Sequence, residues 1–191
     1  MPVQTDRGSI VAAQQAPLRQ LYHEAPQRAR TRKTARTSSV SIPASDPFHG
    51  EVEIGAGYGT HVRFGVDRYV GGLHDAPNPG DLLCAALAAC TDGAVRMVAN
   101  LLGVHLEALD VEVTGELDVR GCLAIDRDVR VGFDGLSCTV RVEAAAGTEP
   151  RLLRALVASA ERVCVNLDTL RSGIDVTVVS DVAGGEGVAT V

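Results

Sequence analysis

The sequence predicts an α+β fold in which antiparallel strands, grouped in runs, pack on two long helices. Three stretches carry that prediction. Asn78 to Leu102 is apolar almost all round, the mark of a helix at the centre of a domain rather than on its surface. Leu109 to Val119 alternates, with Val111, Val113, Leu117 and Val119 on one face and Asp110, Glu112, Thr114, Glu116 and Asp118 on the other, as in a half-buried strand. From Pro150 onward, Leu152, Leu153, Leu156, Val157, Ala160, Val163, Cys164 and Leu167 form the apolar stripe of a second helix.

The first helix has clear ends. Asn78 is a good N-cap, Pro79 stands where a helical amide has no partner anyway, and Asp81 meets the positive end of the helix dipole. Gly103 suits a C-terminal cap. Upstream, residues 1–13 carry no pattern and are expected to be mobile. Residues 14–29 show a weak helical signal cut by Pro17 and Pro26, and the Thr, Ser, Val and Ile of residues 30–42 suit a strand. Glu51–Ile54 and His61–Val66 read as strands joined by a glycine-rich hairpin turn, Gly55 to Gly59. No long helix follows those glycines, so they do not form a dinucleotide loop. Past the central helix, Val129–Phe133 and Cys138–Ala144 read as a strand pair turning at Asp134-Gly135. Thr148-Glu149-Pro150 opens the second helix, Ser172-Gly173 closes it, and Ile174–Val179 is a last short strand. The expected organisation is an extension over residues 1–29, partly flexible or helical, a folded domain over 30–181 and a flexible tail over 182–191.

Composition narrows the function classes. A chain of 191 residues with 46% hydrophobic and 22% charged residues buries a real core. With 3% aromatic residues and no Trp it lacks stacking platforms, and a net charge of −6 argues against a nucleic-acid partner. The charge is uneven. Residues 1–40 hold seven Lys and Arg against Asp6 and Glu24, a net of +5, which leaves −11 on the remainder. The basic run from Arg28 to Arg36 is either a solvated arm or a contact for an acidic partner. The longest apolar run, Leu82 to Thr91, is too short to span a bilayer, and Gln4, Asp6 and Gln14-Gln15 interrupt any secretory-signal pattern. The expectation is a cytoplasmic protein with no membrane partner.

Five cysteines at irregular spacing do not form a disulfide framework, and their placement relative to the five histidines gives no metal-ligand spacing. No metal and no cofactor is expected. Cys90 shares a helix face with Leu83, Ala86, Leu87, Ala94 and Met97, and Cys164 shares one with Val157, Ala160 and Leu167. Each long helix thus presents one cysteine to the core. A buried cysteine is most often a small hydrophobe. Two of them on two core helices can also form a redox pair, if packing brings their Cα atoms within about 4.4–6.8 Å. Cys84 points away from Cys90, Cys138 is a core position of its strand, and Cys122 lies in a loop.

Asn78-Pro-x-x-Leu-Leu-x-Ala-Ala-Leu-Ala-Ala-Cys90-Thr91 resembles the first cysteine motif of the OsmC/Ohr family of osmotically induced and organic-hydroperoxide-resistance proteins. Ala160 to Leu170, with Cys164 inside it, resembles the second, and Leu117–Gly121 and Val131–Phe133 resemble linker positions of an OsmC-like branch. The likeness extends over residues 30–180. It implies an intertwined homodimer, two central helices wrapped by antiparallel sheets, and a thiol peroxidase whose substrate is an organic hydroperoxide and whose reductant is an external dithiol. Cys90 would be the peroxidatic thiol and Cys164 its resolving partner. Arg63, Arg68 and Asp81 are the candidates for favouring the thiolate. The chain departs from the family's peroxidases at Gly80, where they carry Glu, and at Val165, where they usually carry Pro. The rival expectation is a non-catalytic dimer on the same fold that holds a small lipophilic ligand in its interface cleft.

Overall fold

The computed structural model describes residues 8–55, 57–181 and 189–190. Its core is built on helix α2, Pro79–Leu101. The helix starts in a capping box: Asn78 Oδ1 accepts from the Asp81 N–H at 3.1 Å, and Asp81 Oδ2 accepts from the Asn78 N–H at 2.9 Å. Gly103, with φ +67°, follows its C-terminus. The mean hydropathy and length of α2 would also suit a bilayer. Here they serve a core, because Leu87, Thr91, Ala94, Val95, Val98 and Ala99 are buried among the elements packed around the helix.

One of those elements is a two-stranded antiparallel sheet. β4 (Leu106–Glu116) and β5 (Gly135–Ala144) pair with Leu109 opposite Val142, Val111 opposite Val140 and Val113 opposite Cys138. The alternation expected of β4 holds as far as Glu116. Leu117 and Val119 then leave the strand, because Asp118 caps the short helix α3 (Val119–Cys122). The expected pairing of Val129–Phe133 with Cys138–Ala144 does not form. β5 takes β4 as its partner instead, since that register puts both apolar faces toward α2. Val129–Phe133 runs as a loop whose backbone passes directly over Gly121, where a Cβ would sit 2.2 Å from the Arg130 carbonyl.

A second sheet, in the order β1 (Ala35–Thr37), β2 (Gly50–Ile54), β3 (His61–Phe64), is antiparallel throughout, and β2 and β3 form the expected hairpin. The strand anticipated over residues 30–42 shrinks to Ala35–Thr37, with Arg36 paired to Glu53 across the sheet at 3.1 Å. Helix α1 (Ile10–Glu24) begins inside the stretch expected to be mobile and runs through Pro17. It is tied to the far end of α2, where Asn100 Oδ1 accepts from the Ser9 hydroxyl at 2.8 Å and from the Val11 N–H at 3.0 Å. The expectation for residues 1–7 lies outside the described residues, as does that for the tail apart from residues 189–190.

The second long helix is two helices. α4 (Pro150–Val163) and α5 (Val165–Ser172) meet at Cys164, whose backbone is extended (φ −78°, ψ 105°). The same apolar stripe supplies the inner face of α4, with Leu156 and Ala160 fully buried. Ile174–Val179 does not become a strand. Only Val179–Ser180 (β6) pairs, with Ala189–Thr190 (β7), and Ile174, Val176 and Val178 are 69%, 76% and 54% exposed.

Candidate active site

The break at Cys164 builds the site. The first bond of α5 runs from the Asp168 N–H to the Cys164 carbonyl at 3.0 Å, which leaves the amides of Val165, Asn166 and Leu167 without helical partners. They point back toward the sulfurs. The Asn166 N–H donates to Cys90 Sγ at 3.5 Å, and the Asn166 side-chain amide donates to the Ala86 carbonyl, one turn earlier on α2, at 2.8 Å. Each of the two thiols, Cys90 and Cys164, acts on the ionisation of the other. Thr91, 4% exposed, completes the cluster: its hydroxyl lies 3.6 Å from Cys164 Sγ and 3.8 Å from Cys138 Sγ.

The two sulfurs differ in access and in charge. Cys164 is 1% exposed, while Cys90 is only half-buried. Burial pushes the Cys90 thiol up; the Asn166 N–H opposes it, and the neighbouring Cys164 adds to it. Burial also works against a Cys164 thiolate, but the Leu167 N–H, the Thr91 hydroxyl, the Cys90 thiol and the Asn166 N–H together outweigh it, and the net direction is down. The pair therefore titrates as a unit. Its first negative charge settles on the Cys164 side, at the start of α5, and makes loss of the second proton harder.

The three candidate activating residues are not brought to the pair. Arg63, on β3, bonds Asp75 at 3.3 Å. Arg68 lies over the ring of its neighbour Tyr69, 5.3 Å from the centroid. Asp81 is engaged in the capping box more than two turns before Cys90, and its charge acts on Cys84, whose thiol is pushed up mainly by burial and then by that charge. The Gly80 departure has a steric cause. A Cβ at Gly80 would lie 2.9 Å from Asn78 Oδ1 and 3.1 Å from the Phe133 ring, which also fills the space above Gly115. Phe133 thus stands where a larger residue at position 80 would have to go. Val165 occupies the first position of α5, where a proline loses no helical bond, so the chain breaks here without needing one.

Sequence reasoning passed over Thr91 and Asn166. A lone hydroxyl beside the cysteine of an otherwise apolar helix was a usable signal for Thr91. Asn166 carried none, because its role depends on a break that periodicity does not show.

Of two cavities, one reaches the cluster at Thr91 and Cys138 and the other lies apart from it; neither is lined by Cys90 or Cys164. One, of about 550 Å³, is lined by Leu83, Leu87, Leu136, Val140, Leu167 and Leu170 with Thr91 and Cys138, and it carries Arg130, Arg171 and Glu161. The other, of about 1420 Å³, lies between the start of α2 and the end of β4, with Cys84 and Phe133 in its wall and Asp67, Asp81, Asp118 and Asp134 around it. Among the described residues no three His, Cys, Asp or Glu side chains converge as a metal site.

The chain is a mixed α/antiparallel-β domain whose core helices hold a half-exposed thiol, Cys90, and a buried one, Cys164. This chain belongs to the OsmC-like protein family, whose pattern matches residues 72–179. No curated protein matches it. Among solved structures it is similar to an organic hydroperoxide resistance protein OsmC from Legionella pneumophila, also described as a redox protein and regulator of sulfide bond formation. That similarity is 26% in sequence over 77% of this chain and 94% of that one, with a TM-score of 0.56. An OsmC-like protein of unknown function from Vibrio cholerae (12% identity, 73% and 94% coverage, TM-score 0.59) shares the fold. So does an organic hydroperoxide resistance protein from Elizabethkingia anophelis (18% identity, 78% and 94% coverage, TM-score 0.53).

Proposed function

We propose that this protein reduces organic hydroperoxides through Cys90 and Cys164. The observation that carries the reading is the meeting of the two sulfurs at the start of α5, where the Asn166 N–H sits on Cys90 and the Thr91 hydroxyl on Cys164. Cys90 is the sulfur a peroxide can reach. As it attacks the terminal peroxide oxygen, its proton passes to the Cys164 thiolate. The O–O bond breaks, Cys90 becomes a sulfenic acid, and the alkoxide leaves as an alcohol with the proton returned from Cys164. Cys164 then attacks the Cys90 sulfur, an S–S bond forms, and hydroxide leaves as water with a proton from solvent. An external dithiol reduces the disulfide by exchange. The leucine-lined cavity beside Thr91 suits an alkyl chain better than hydrogen peroxide.

The reading extends to a homodimer. Val163, Val165, Ile174, Val176 and Val178 are exposed apolar residues close together in the chain, and the last three alternate as a strand without a ladder partner among the described residues. A second copy supplies the sheet edge they lack. All five cysteines are free, in keeping with a reducing cytoplasm.

Intact mass after one equivalent of an alkyl hydroperoxide tests the cycle. Wild type is expected to lose the mass of two hydrogen atoms, and Cys90→Ser and Cys164→Ser are each expected not to. If wild type consumes no peroxide and Cys90 stays reduced, the proposal falls. The large second cavity favours the rival reading, a non-catalytic binder of a small lipophilic ligand, and that same result would leave the rival standing.

A further inference from the structure

Among the described residues no Lys or Arg side chain is hydrogen-bonded to Cys90. The groups that act on it are its own burial, Cys164, and two backbone amides from the start of α5, those of Asn166 and Val165. Backbone amides favour a thiolate only while they stay pointed at the sulfur, and these belong to a short helix that begins at a break in the chain. Something must hold that break in register with α2.

We propose that Asn166 is the positioning residue of the thiol pair: its side-chain amide pins the start of α5 to the Ala86 carbonyl, and its backbone N–H is thereby kept on Cys90 Sγ. The two contacts come from one residue and reach one stretch of one helix, at 2.8 Å and 3.5 Å. The carbonyl it uses is the one four residues before Cys90, the acceptor of the Cys90 amide in the α2 ladder. A shift of α5 along α2 therefore breaks the side-chain bond and withdraws the amide in the same movement. Other ties across this region are weaker. Arg171 and Glu161 bridge α5 to α4 at 3.4 Å, but both are solvent-exposed and neither touches α2. The start of α5 also meets α2 through two sulfur contacts, Asn166 N–H to Cys90 at 3.5 Å and the Thr91 hydroxyl to Cys164 at 3.6 Å, and the Asn166 side-chain bond, at 2.8 Å and with no sulfur in it, is the shortest of the three. The inference rests on the thiol chemistry proposed above, but it concerns the ionisation of Cys90 and can be read without turnover.

The experiment is the pH profile of Cys90 alkylation by iodoacetamide, followed by peptide mass spectrometry, in the full chain and in Asn166→Leu and Asn166→Asp. Leu removes both polar atoms at similar bulk and adds no charge, so its profile decides the question; Asp keeps the shape but cannot donate to Ala86, and its carboxylate raises the Cys90 thiol by its own charge as well. In both variants the Cys90 profile is expected to move to higher pH, so that the alkylation rate at pH 7 falls about five- to tenfold, the scale of one lost ordinary hydrogen bond. The thermal transition of Asn166→Asp, the same size as wild type, shows that the chain is folded while the profile moves. If folded Asn166→Leu titrates Cys90 as wild type does, or if only its thermal transition changes, Asn166 is structural and the proposal is overturned, whatever the charged Asp variant does. The two readings fail separately. A shifted profile in a protein that consumes no hydroperoxide upholds Asn166 and sinks the peroxidase, while an unshifted profile in an active enzyme does the reverse.

Discussion

The two core helices carry the same kind of pattern and do opposite things with it. α2 runs unbroken through Cys90, with its start fixed by a side-chain capping box. The second stripe breaks at its cysteine, and α5 starts there with no side-chain cap. The unbroken helix holds a sulfur still. The broken one brings unpaired amides to it, because only a helix start has N–H groups to spare. A thiol pair built from one of each gains a rigid partner and a polar partner without burying a charged side chain beside them.

The sharpest way to break this contrast is to interrupt α2 as the second helix is interrupted. Ala94→Pro removes the helical bond to the Cys90 carbonyl at a site 2% exposed, and should cost about 3 kcal/mol or more in urea unfolding. Next in size is the start of α2. Gly80→Glu forces a side chain into the space held by Phe133, at about 1–3 kcal/mol. Combining it with Phe133→Ala should recover part of that loss in a double-mutant cycle, whereas full additivity would show that the two residues do not compete for space.

A smaller effect concerns the approach to α2. The His49 ring lies between Asp75, at 2.9 Å from Nε2, and Asp46, at 3.1 Å from Nδ1, and clamps the beginning of β2 to the loop before the helix. Asp75 first, then Asp46, raise the His49 pKa above its ordinary 6.5, with burial and then Arg63 opposing. Both carboxyls are lowered from 3.8, Asp46 chiefly by the Phe48 N–H and Asp75 chiefly by His49. The histidine's contribution is present in full below pH 6.5 and is lost as pH rises through its raised folded value. The carboxylates' contribution is present above 3.8 and is lost as pH falls through their lowered values. The clamp is therefore complete between those two limits. The melting temperature of wild type is expected to fall as pH rises above 6.5, and His49→Gln should flatten that fall; parallel curves would show that the clamp is not coupled to folding.

The smallest effect is expected at the break itself. Val165→Pro stands at a first helical position behind an extended residue, so stability should stay within about 1 kcal/mol of wild type. It also removes one of the amides that favours the Cys90 thiolate, so Cys90 alkylation should move modestly to higher pH. A large loss of stability would mean that the Val165 N–H has a structural role as well.

Much of the frame was legible in residue order. The central helix, its Asn78 cap and its end before Gly103 follow from side chains that act on neighbours three or four places away, and the alternation of β4 and β5 follows from their pleat. Partnership was not legible. Val129–Phe133 has the composition of a strand but lies in a loop, because β4 offers β5 a longer matched face. Ile174–Val178 has the alternation of a strand but finds no edge within the described residues. Arg63 and Arg68 were reasonable candidates by type, yet one is held by Asp75 and the other lies over Tyr69, contacts set by the second sheet and its loop.

By itself, the sequence determined the fold class, the family and the two cysteines that face the core, since these depend on periodicity and on motif spacing that a single chain carries in full. Only the tertiary structure decided what surrounds those sulfurs. Thr91, Asn166 and the amides of α5 reach them because α4 stops at Cys164 and α5 docks on α2. That outcome depends on a backbone turn and on contacts between residues more than seventy positions apart, and no local pattern encodes either.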